Sequence, residues 1–134
     1  MNAVDTSVAV AALADWHGAH RQARRAAVDA AIPAHARIET YSVLTRMPPP
    51  YRLEAEVAAE LLGRWFPSRE ILVPPAALSR SMVERCRERG IAGGAVYDAL
   101  VGLTAAGAKA RLLTRDERAA RTYRRLGIEF ELME

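Results

Sequence analysis

Acidic side chains occur at unusual positions in this sequence, and the first of them is Asp5. The chain opens with MNAVDTSVAV, so a short apolar run ends on an acid that Thr6 and Ser7 follow directly. The side-chain oxygens of these residue types accept the free backbone N–H groups at the start of a helix, which makes a helix cap one interpretation. A metal-binding carboxylate is the other, and it requires further acids close to Asp5 in space.

Asp98 and Glu39 lie on predicted helical faces that are otherwise mostly apolar. The neighbours of Asp98 one helical turn away are Gly94, Ala95, Val101 and Gly102. Glu39 lies between Ala36 and Val43 on an earlier helix. Burying an unpaired carboxylate is costly, so each acid must be hydrogen-bonded, neutralised by a proton or matched by a cation. Pairing with one of the many arginines is the simpler alternative for each acid taken alone.

Asp116 is predicted to lie at the same sheet edge as Asp5. Asp5 ends the first predicted strand, and Asp116 comes two residues after Thr114, just beyond a strand at residues 111–113. The carboxyl ends of parallel strands meet at one edge of the sheet, where sites form. Compensation of the helix dipole is the alternative role for Asp116. Thr114 followed three residues later by Glu117 fits a capping box, which favours a capping role for Glu117.

Four carboxylates in one hollow would repel one another strongly. Two unit charges about 5–6 Å apart repel by about 3 kcal/mol at an effective dielectric constant of about 20. Six such pairs would oppose folding by on the order of 18 kcal/mol, against a typical domain stability of about 5–15 kcal/mol. Mg²⁺ and Mn²⁺, which prefer oxygen ligands, would supply the compensating charge. Zinc is not indicated, because His17 and His20 share a predicted helical face but no third ligand is evident.

Apolar periodicity predicts strands that alternate with helices along the chain. Strands are predicted around residues 3–4, 32–34, 71–73, 111–113 and 128–132. Helices are predicted over residues 7–13, 17–30, 35–46, 95–106 and 118–126. Two further helices are predicted from apolar stripes: the first consists of Leu53, Val57 and Leu61, and the second of Leu78, Met82 and Cys86. Crossover connections of this kind imply an α/β fold with a mainly parallel sheet covered on both faces.

The composition of the chain limits the classes of protein to which it can belong. The 134 residues suit one domain, and 51% hydrophobic with 26% charged residues is typical of a folded chain. No apolar run approaches the roughly 20 residues that cross a bilayer, and the start does not look like a secretory signal. The lone Cys86 leaves no intramolecular disulfide and favours a reducing cytoplasm. The 19 basic residues are nearly all arginine, and the formal net charge is +3. This charge favours a polyanionic partner only modestly.

The order of four short motifs resembles the PIN domain and, more narrowly, the VapC toxins of bacterial toxin–antitoxin pairs. These motifs are V-D-T-S near the start, then R-I-E-T-Y-S-V-L-T-R, Y-D-A-L-V and L-L-T-R-D. No single motif is specific, but the ordered set is, and the likeness covers essentially the whole chain. It implies one PIN domain over residues 1–134, with a three-layer α/β/α architecture around a mainly parallel central sheet.

The resemblance also implies an activity. The family's acidic quartet falls on Asp5, Glu39, Asp98 and Asp116. A chain with this quartet would be a Mg²⁺- or Mn²⁺-dependent endoribonuclease that cuts single-stranded or loop RNA with a metal-activated water. Asp5, Asp98 and Asp116 would hold the metal, with Glu39 as a further ligand or as the orienter of the water. Thr6 and Thr114 would position carboxylates by hydrogen bonding, and a simple capping role is their alternative.

Partners follow from the same resemblance. Proteins of this type are held inactive by a small VapB-type antitoxin whose arm inserts beside the acids, often with a basic side chain, and they tend to form homodimers. The aromatic candidates for such an antitoxin or dimer surface are Trp16, Tyr51, Trp65 and Phe66. Core packing is the favoured alternative for each of these side chains.

Two other functions compete with the nuclease. The first is a non-catalytic arginine-rich RNA-binding module, with the acids in ordinary salt bridges and with basic clusters at Arg21, Arg24 and Arg25 and at Arg118, Arg121, Arg124 and Arg125. The 6% aromatic content shows no interleaving typical of base stacking. The second is a haloacid-dehalogenase-like phosphatase, which needs a second Asp where this chain has Ser7.

Overall fold

Strands and helices alternate in the computed structural model, which describes all 134 residues. The strands are β1 (Asn2–Val4), β2 (Ile32–Pro33), β3 (Ile71–Leu72), β4 (Arg111–Thr114) and β5 (Phe130–Leu132). The α-helices are α1 (Thr6–Leu13), α2 (His20–Ala27), α3 (Ala34–Arg46), α4 (Ala55–Trp65), α5 (Ala76–Glu88), α6 (Ala95–Gly107) and α7 (Glu117–Arg125). None of these helices has the length and apolarity needed to span a bilayer.

Every strand pair is parallel. β4 lies between β1 and β5, and β2 pairs with β3. A parallel bridge between Ala3 and Ala31 connects the two sets, with the Val4 N–H donating to the Ala31 carbonyl at 2.9 Å. The resulting order is β3-β2-β1-β4-β5. The predicted α/β class, a three-layer arrangement around a mainly parallel sheet, is confirmed.

The position of α6 in the core explains why this helix is largely apolar. It packs against α3, α5 and α7 and against strands β2 and β4. Leu78, Met82 and Cys86 form the buried face of α5, as predicted, and meet α6 around Ala99. Because α6 is surrounded in this way, the face that carries Asp98 is held against neighbouring elements rather than free in solvent.

Several predicted elements differ in extent; the last strand, for example, begins at Phe130 rather than at Ile128. The helix predicted over residues 17–30 is wrong at both ends, because α2 covers only His20–Ala27. His17 therefore lies in the preceding loop and shares no helical face with His20. Ala34, predicted at the end of a strand, is the first residue of α3, since β2 ends at Pro33.

The apolar stripe predicted for α4 is also wrong. Leu53 precedes the helix, and Val57 is 45% exposed. The buried residues of α4 are Ala58 and Leu62, which lie on a different face from Val57. A four-residue spacing identified the helix correctly, but contact with α3 decides which face is buried.

The aromatic residues divide between core and surface. Phe66 is fully buried and Trp65 is half-buried against the core, as the core interpretation expects. Trp16 and Tyr51 are 39% and 44% exposed, so core packing is wrong for this pair.

Gly102 permits the close approach of α6 to α7. A Cβ at this position would lie 2.5 Å from Cδ1 of Ile128 and 2.9 Å from Cδ1 of Tyr123. We expect Gly102→Ala to lower the free energy of unfolding by about 1–3 kcal/mol, because the extra methyl group overpacks this contact. Urea denaturation measures the change. Gly107→Ala is the matched control on the same helix, since nothing lies within 4 Å of its added Cβ, and equal stability of the two variants would contradict the prediction.

Candidate active site

Asp5 caps α1 and also faces the interior. Its Oδ1 accepts hydrogen bonds from the Ser7 N–H at 3.0 Å, the Ser7 hydroxyl at 2.6 Å and the Val8 N–H at 3.4 Å. Only 4% of the residue is exposed, and this burial raises the pKa of the Asp5 carboxyl, although its hydrogen bonds oppose the rise. The capping interpretation of the opening motif is therefore correct. It does not exclude the chemical one, because a buried carboxylate at a strand end still needs its charge balanced.

Tyr123 supplies the partner of the second Asp5 oxygen. Its hydroxyl donates to Asp5 Oδ2 at 2.9 Å across 118 positions of sequence. Burial and the charge of Asp5 raise the pKa of the Tyr123 hydroxyl, so the phenol keeps its proton and remains a donor. The contact between Tyr123 and Asp5 is not predicted by the sequence. Its one signal is the spacing from Ala119, which marks a buried face on the arginine-rich helix α7.

Hydroxyl groups connect the ends of β1 and β4. The Asp5 N–H donates to the Leu113 carbonyl at 3.1 Å. The Ser7 hydroxyl accepts from the Arg115 N–H at 2.8 Å and lies 3.4 Å from the Thr114 hydroxyl. These bonds fix the two predicted strand ends side by side. The sequence predicts no link between the strand ends at Ser7, yet the Ser7 hydroxyl contacts both of them.

Asp116 begins α7 as its N-cap. The Asp116 Oδ1 accepts from the Arg118 N–H at 2.8 Å and from the Ala119 N–H at 3.4 Å. Thr114 lies in β4, and its hydroxyl accepts from the Asp116 N–H at 3.1 Å. The predicted capping box is therefore wrong, because Asp116 takes the capping position and Glu117 is the first helical residue.

Thr6 contacts the acid on α3. Its hydroxyl donates to Glu39 Oε1, which joins the start of α1 to the middle of α3. Glu39 is half-buried and points to the same region as Asp5 and Asp116. The helix predicted to carry Glu39 is thus placed correctly.

The carboxyl group of Asp98 has a raised pKa. Partial burial is the main cause that raises the pKa of its carboxyl to about 6. The negative charges of Asp116, Asp5 and Glu39 raise it further, in that order. Only acids close together in space perturb one another in this way.

One cleft of about 360 Å³ collects these groups. Its polar lining consists of Asp5, Thr6, Ser7, His17, Glu39, Asp98, Arg115, Asp116 and Tyr123. Its apolar lining consists of Val10, Val43, Val101 and Ala119. All four acids that the resemblance singles out therefore face a common space, together with the Thr6 hydroxyl. Thr114 is fully buried behind it.

The charge of this cleft is not balanced by ion pairs within the chain. The three salt bridges of the structure, Arg64–Glu60, Arg69–Glu70 and Arg111–Glu131, all lie elsewhere. No three His, Cys, Asp or Glu side chains are close enough to form a ready-made chelate for one ion. The acids are thus grouped, but they are spaced more widely than in a closed structural metal site.

Two further cleft residues carry nitrogen groups that sequence analysis did not select. Arg115 stands between Thr114 and Asp116. His17 accepts the Ala19 N–H on its Nδ1 at 3.0 Å, which places the proton of the neutral ring on Nε2. Burial lowers the pKa of His17, and the nearby charges of Arg115 and His20 lower it further.

Comparison with known proteins agrees with this geometry. The PIN domain model matches residues 3–125. The chain is 48% identical over 134 residues to Ribonuclease VapC40 of Mycobacterium tuberculosis strain H37Rv, with 99% of each chain covered. It is 46% identical over 132 residues to Ribonuclease VapC27 of the same strain, covering 94% of this chain and 92% of the relative. The chain therefore belongs to the PIN domain family, and within that family to the VapC type.

Proposed function

We propose that this protein is a metal-dependent endoribonuclease and the toxin of a toxin–antitoxin pair. The observation that carries the proposal is a cleft lined by Asp5, Glu39, Asp98 and Asp116, none of which is paired with an arginine or lysine. The names of the two relatives, both ribonucleases of the VapC type, support the same activity. The proposed reaction is hydrolysis of an RNA phosphodiester by water.

The donor set suits Mg²⁺ or Mn²⁺ as the cofactor. Mg²⁺ is usually held by one or two protein carboxylates and keeps several waters, so a site without a three-carboxylate chelate fits it. We propose that Asp5, Asp98 and Asp116 together hold the hydrated ion, in part through the waters that it keeps, with Glu39 as a further ligand or as the orienter of the attacking water. When bound, the ion lowers the pKa of a coordinated water and stabilises the extra charge of the transition state.

The chain's own hydroxyl groups would keep the acids in place. Ser7 and Tyr123 hold the two oxygens of Asp5. Thr6 holds Glu39 through its side chain, whereas Thr114 acts on the backbone of Asp116. Partners of this kind orient metal ligands before the ion arrives, and their loss typically weakens metal affinity or activity by about 10- to 100-fold.

The reaction has a defined product. Attack of the water on phosphorus breaks the bond to the 3′ oxygen and leaves a 3′-hydroxyl and a 5′-phosphate. The neighbouring 2′-hydroxyl is not required as a nucleophile. These ends distinguish the proposed mechanism from cleavage through a cyclic phosphate.

The partners we propose are those of the VapC type. A VapB-type antitoxin would insert an arm beside the acids, where a basic side chain would offset their charge in place of the metal. We also propose a homodimer, a hetero-oligomer with the antitoxin, and a cytoplasmic location, consistent with the unpaired and buried Cys86.

Metal removal tests the function directly. We expect the chelator-treated protein to leave a labelled single-stranded RNA intact, and Mg²⁺ or Mn²⁺ to restore cleavage that yields 5′-phosphate ends. The acids repel one another without a cation, so the metal-free cleft lacks both the nucleophile and charge compensation. Cleavage that persists in chelator, or that yields cyclic phosphates, would contradict the proposal. RNA binding without cleavage in any metal would favour the arginine-rich binding module instead.

A further inference from the structure

Three aromatic rings form a continuous row that starts at the half-buried His17 in the cleft and ends at exposed side chains. His17 lines the cleft, and its ring centroid lies 5.8 Å from that of Trp16. The ring centroid of Trp16 lies 4.8 Å from that of Tyr51, which follows the proline run and is far from Trp16 in sequence. We refer to Tyr51, Trp16 and His17 as the aromatic row. Contact between segments so far apart in sequence explains why no interleaving of aromatic residues was visible in the chain.

The rings of the aromatic row are tilted rather than stacked flat. The planes of Trp16 and Tyr51 meet at 43°, and those of Trp16 and His17 at 36°. Tilted rings do not cover one another completely, which agrees with the 39% exposure of Trp16 and the 44% exposure of Tyr51. Exposed aromatic surface of this kind is available for a planar ligand.

Arg115 supplies a cation in the same cleft. Its Nε is buried and has no hydrogen-bond partner, although its backbone N–H is bonded to Ser7. The guanidinium forms no salt bridge, even though Asp116 is its neighbour in sequence. An unpaired buried N–H is costly, and a guanidinium matches the geometry of a phosphate group. The cleft thus contains a guanidinium that forms no ion pair with any acid of the chain.

From these contacts we infer that Arg115 and the aromatic row form a nucleotide subsite at the His17 end of the cleft. The inference rests on the proposed nuclease function and adds the residues that would hold the RNA beside the acids. Arg115 takes a phosphate next to the scissile one, and an unpaired base stacks on the Trp16–Tyr51 surface. A base inside a duplex has both faces covered, so the subsite selects single-stranded RNA. RNA is favoured over a protein partner because an exposed aromatic surface and a free guanidinium occur together beside the acids.

Fluorescence of Trp16 tests the subsite without requiring catalysis. The background is Asp98→Asn with Trp65→Phe, which prevents cleavage and leaves Trp16 as the single tryptophan. Single-stranded RNA of about eight nucleotides should quench its emission in a saturable way, and the same sequence as a duplex should bind more weakly. In this background Tyr51→Ala should weaken binding by about 5- to 100-fold. Arg115→Ala should weaken binding and make the negative slope of log affinity against log salt shallower by about 0.7.

Tyr41→Ala is the matched control. Tyr41 is 37% exposed on α3 and lines a separate shallow pocket with Ile38 and Leu62. Its replacement should leave RNA affinity unchanged. If labelled RNA binds while Trp16 emission stays constant, or if the Tyr51 and Tyr41 variants bind equally, the aromatic row serves another partner such as the antitoxin, and the inference is wrong. Metal-dependent cleavage by the wild type separates that result from failure of the proposed function, which would remove both.

Discussion

Replacing Asp98 with asparagine is expected to reduce the rate of RNA cleavage by at least about 100-fold, comparable to removal of one electrostatic stabiliser from an active site. Asparagine keeps the size of the side chain but removes the negative charge that the proposed metal requires. The negative charges of all three other acids raise the pKa of the Asp98 carboxyl, so Asp98 lies close enough to interact with each of them. Initial rates on a single-stranded RNA at saturating Mg²⁺ measure the loss.

The control makes the same chemical change outside the cleft. Asp29 is exposed in the loop before β2, with a φ of 59° that asparagine adopts readily. Asp29→Asn should cleave RNA like the wild type. Circular dichroism and thermal unfolding should show that both variants are folded. Near-normal cleavage by Asp98→Asn would exclude Asp98 from the metal site and would remove the main support for the mechanism.

The convergence of the acids could be predicted because it depends on rules that act locally. Asp5 and Asp116 follow strands, and parallel strands end at a common edge whatever the detailed packing. Asp98 is surrounded by small and apolar residues along its own helix. These features need only the alternation of strands with helices and the helical period, and both are visible in the sequence.

The groups that hold the acids could not be predicted in the same way. Tyr123 reaches Asp5 because α7 packs closely on α6, and that approach depends on Gly102. Neither the distance nor the direction of this contact is encoded in the periodicity of α7. The Ser7 hydroxyl likewise contacts Arg115 only after β1 and β4 have paired.

Exposure was also harder to predict than secondary structure. Val57 has the spacing of a core residue and is exposed, and Trp16 and Tyr51 are apolar enough for the core and lie on the surface. In each case the partner element decides burial. The two exposed aromatic side chains are therefore informative, because large exposed apolar groups next to a cleft often mark a binding site.

The cleft illustrates a conflict between stability and activity. Four acids brought together without paired cations raise the energy of the folded, metal-free protein. Burial raises the pKa of the Asp5 carboxyl, and burial together with the repulsion from the other three acids raises that of Asp98. A metal that binds only the folded state would restore the lost stability in proportion to its concentration.

This conflict predicts an unusual dependence of stability on pH. The folded-state pKa of Asp98 is about 6, against 3.8 in a model compound, so the folded protein holds the proton more tightly than the unfolded chain. The resulting stabilisation is complete below about pH 4 and is lost as the pH rises through 6. For a half-exposed carboxyl we expect a loss of about 1–2 kcal/mol in the metal-free protein, after allowing for solvent screening.

Thermal unfolding at pH 5 and pH 7.5, with chelator and with Mg²⁺, measures this effect. Other groups also titrate in this range, so the relevant quantity is the difference between the wild type and Asp98→Asn. The metal-free wild type should lose more stability than the variant between the two pH values, because asparagine has no proton to release. Mg²⁺ should raise the unfolding temperature of the wild type more at pH 7.5 than at pH 5, since protonated Asp98 competes with the ion. Identical pH responses in the two proteins would mean that Asp98 is not held near the other acids, and the single negatively charged cleft would have to be abandoned.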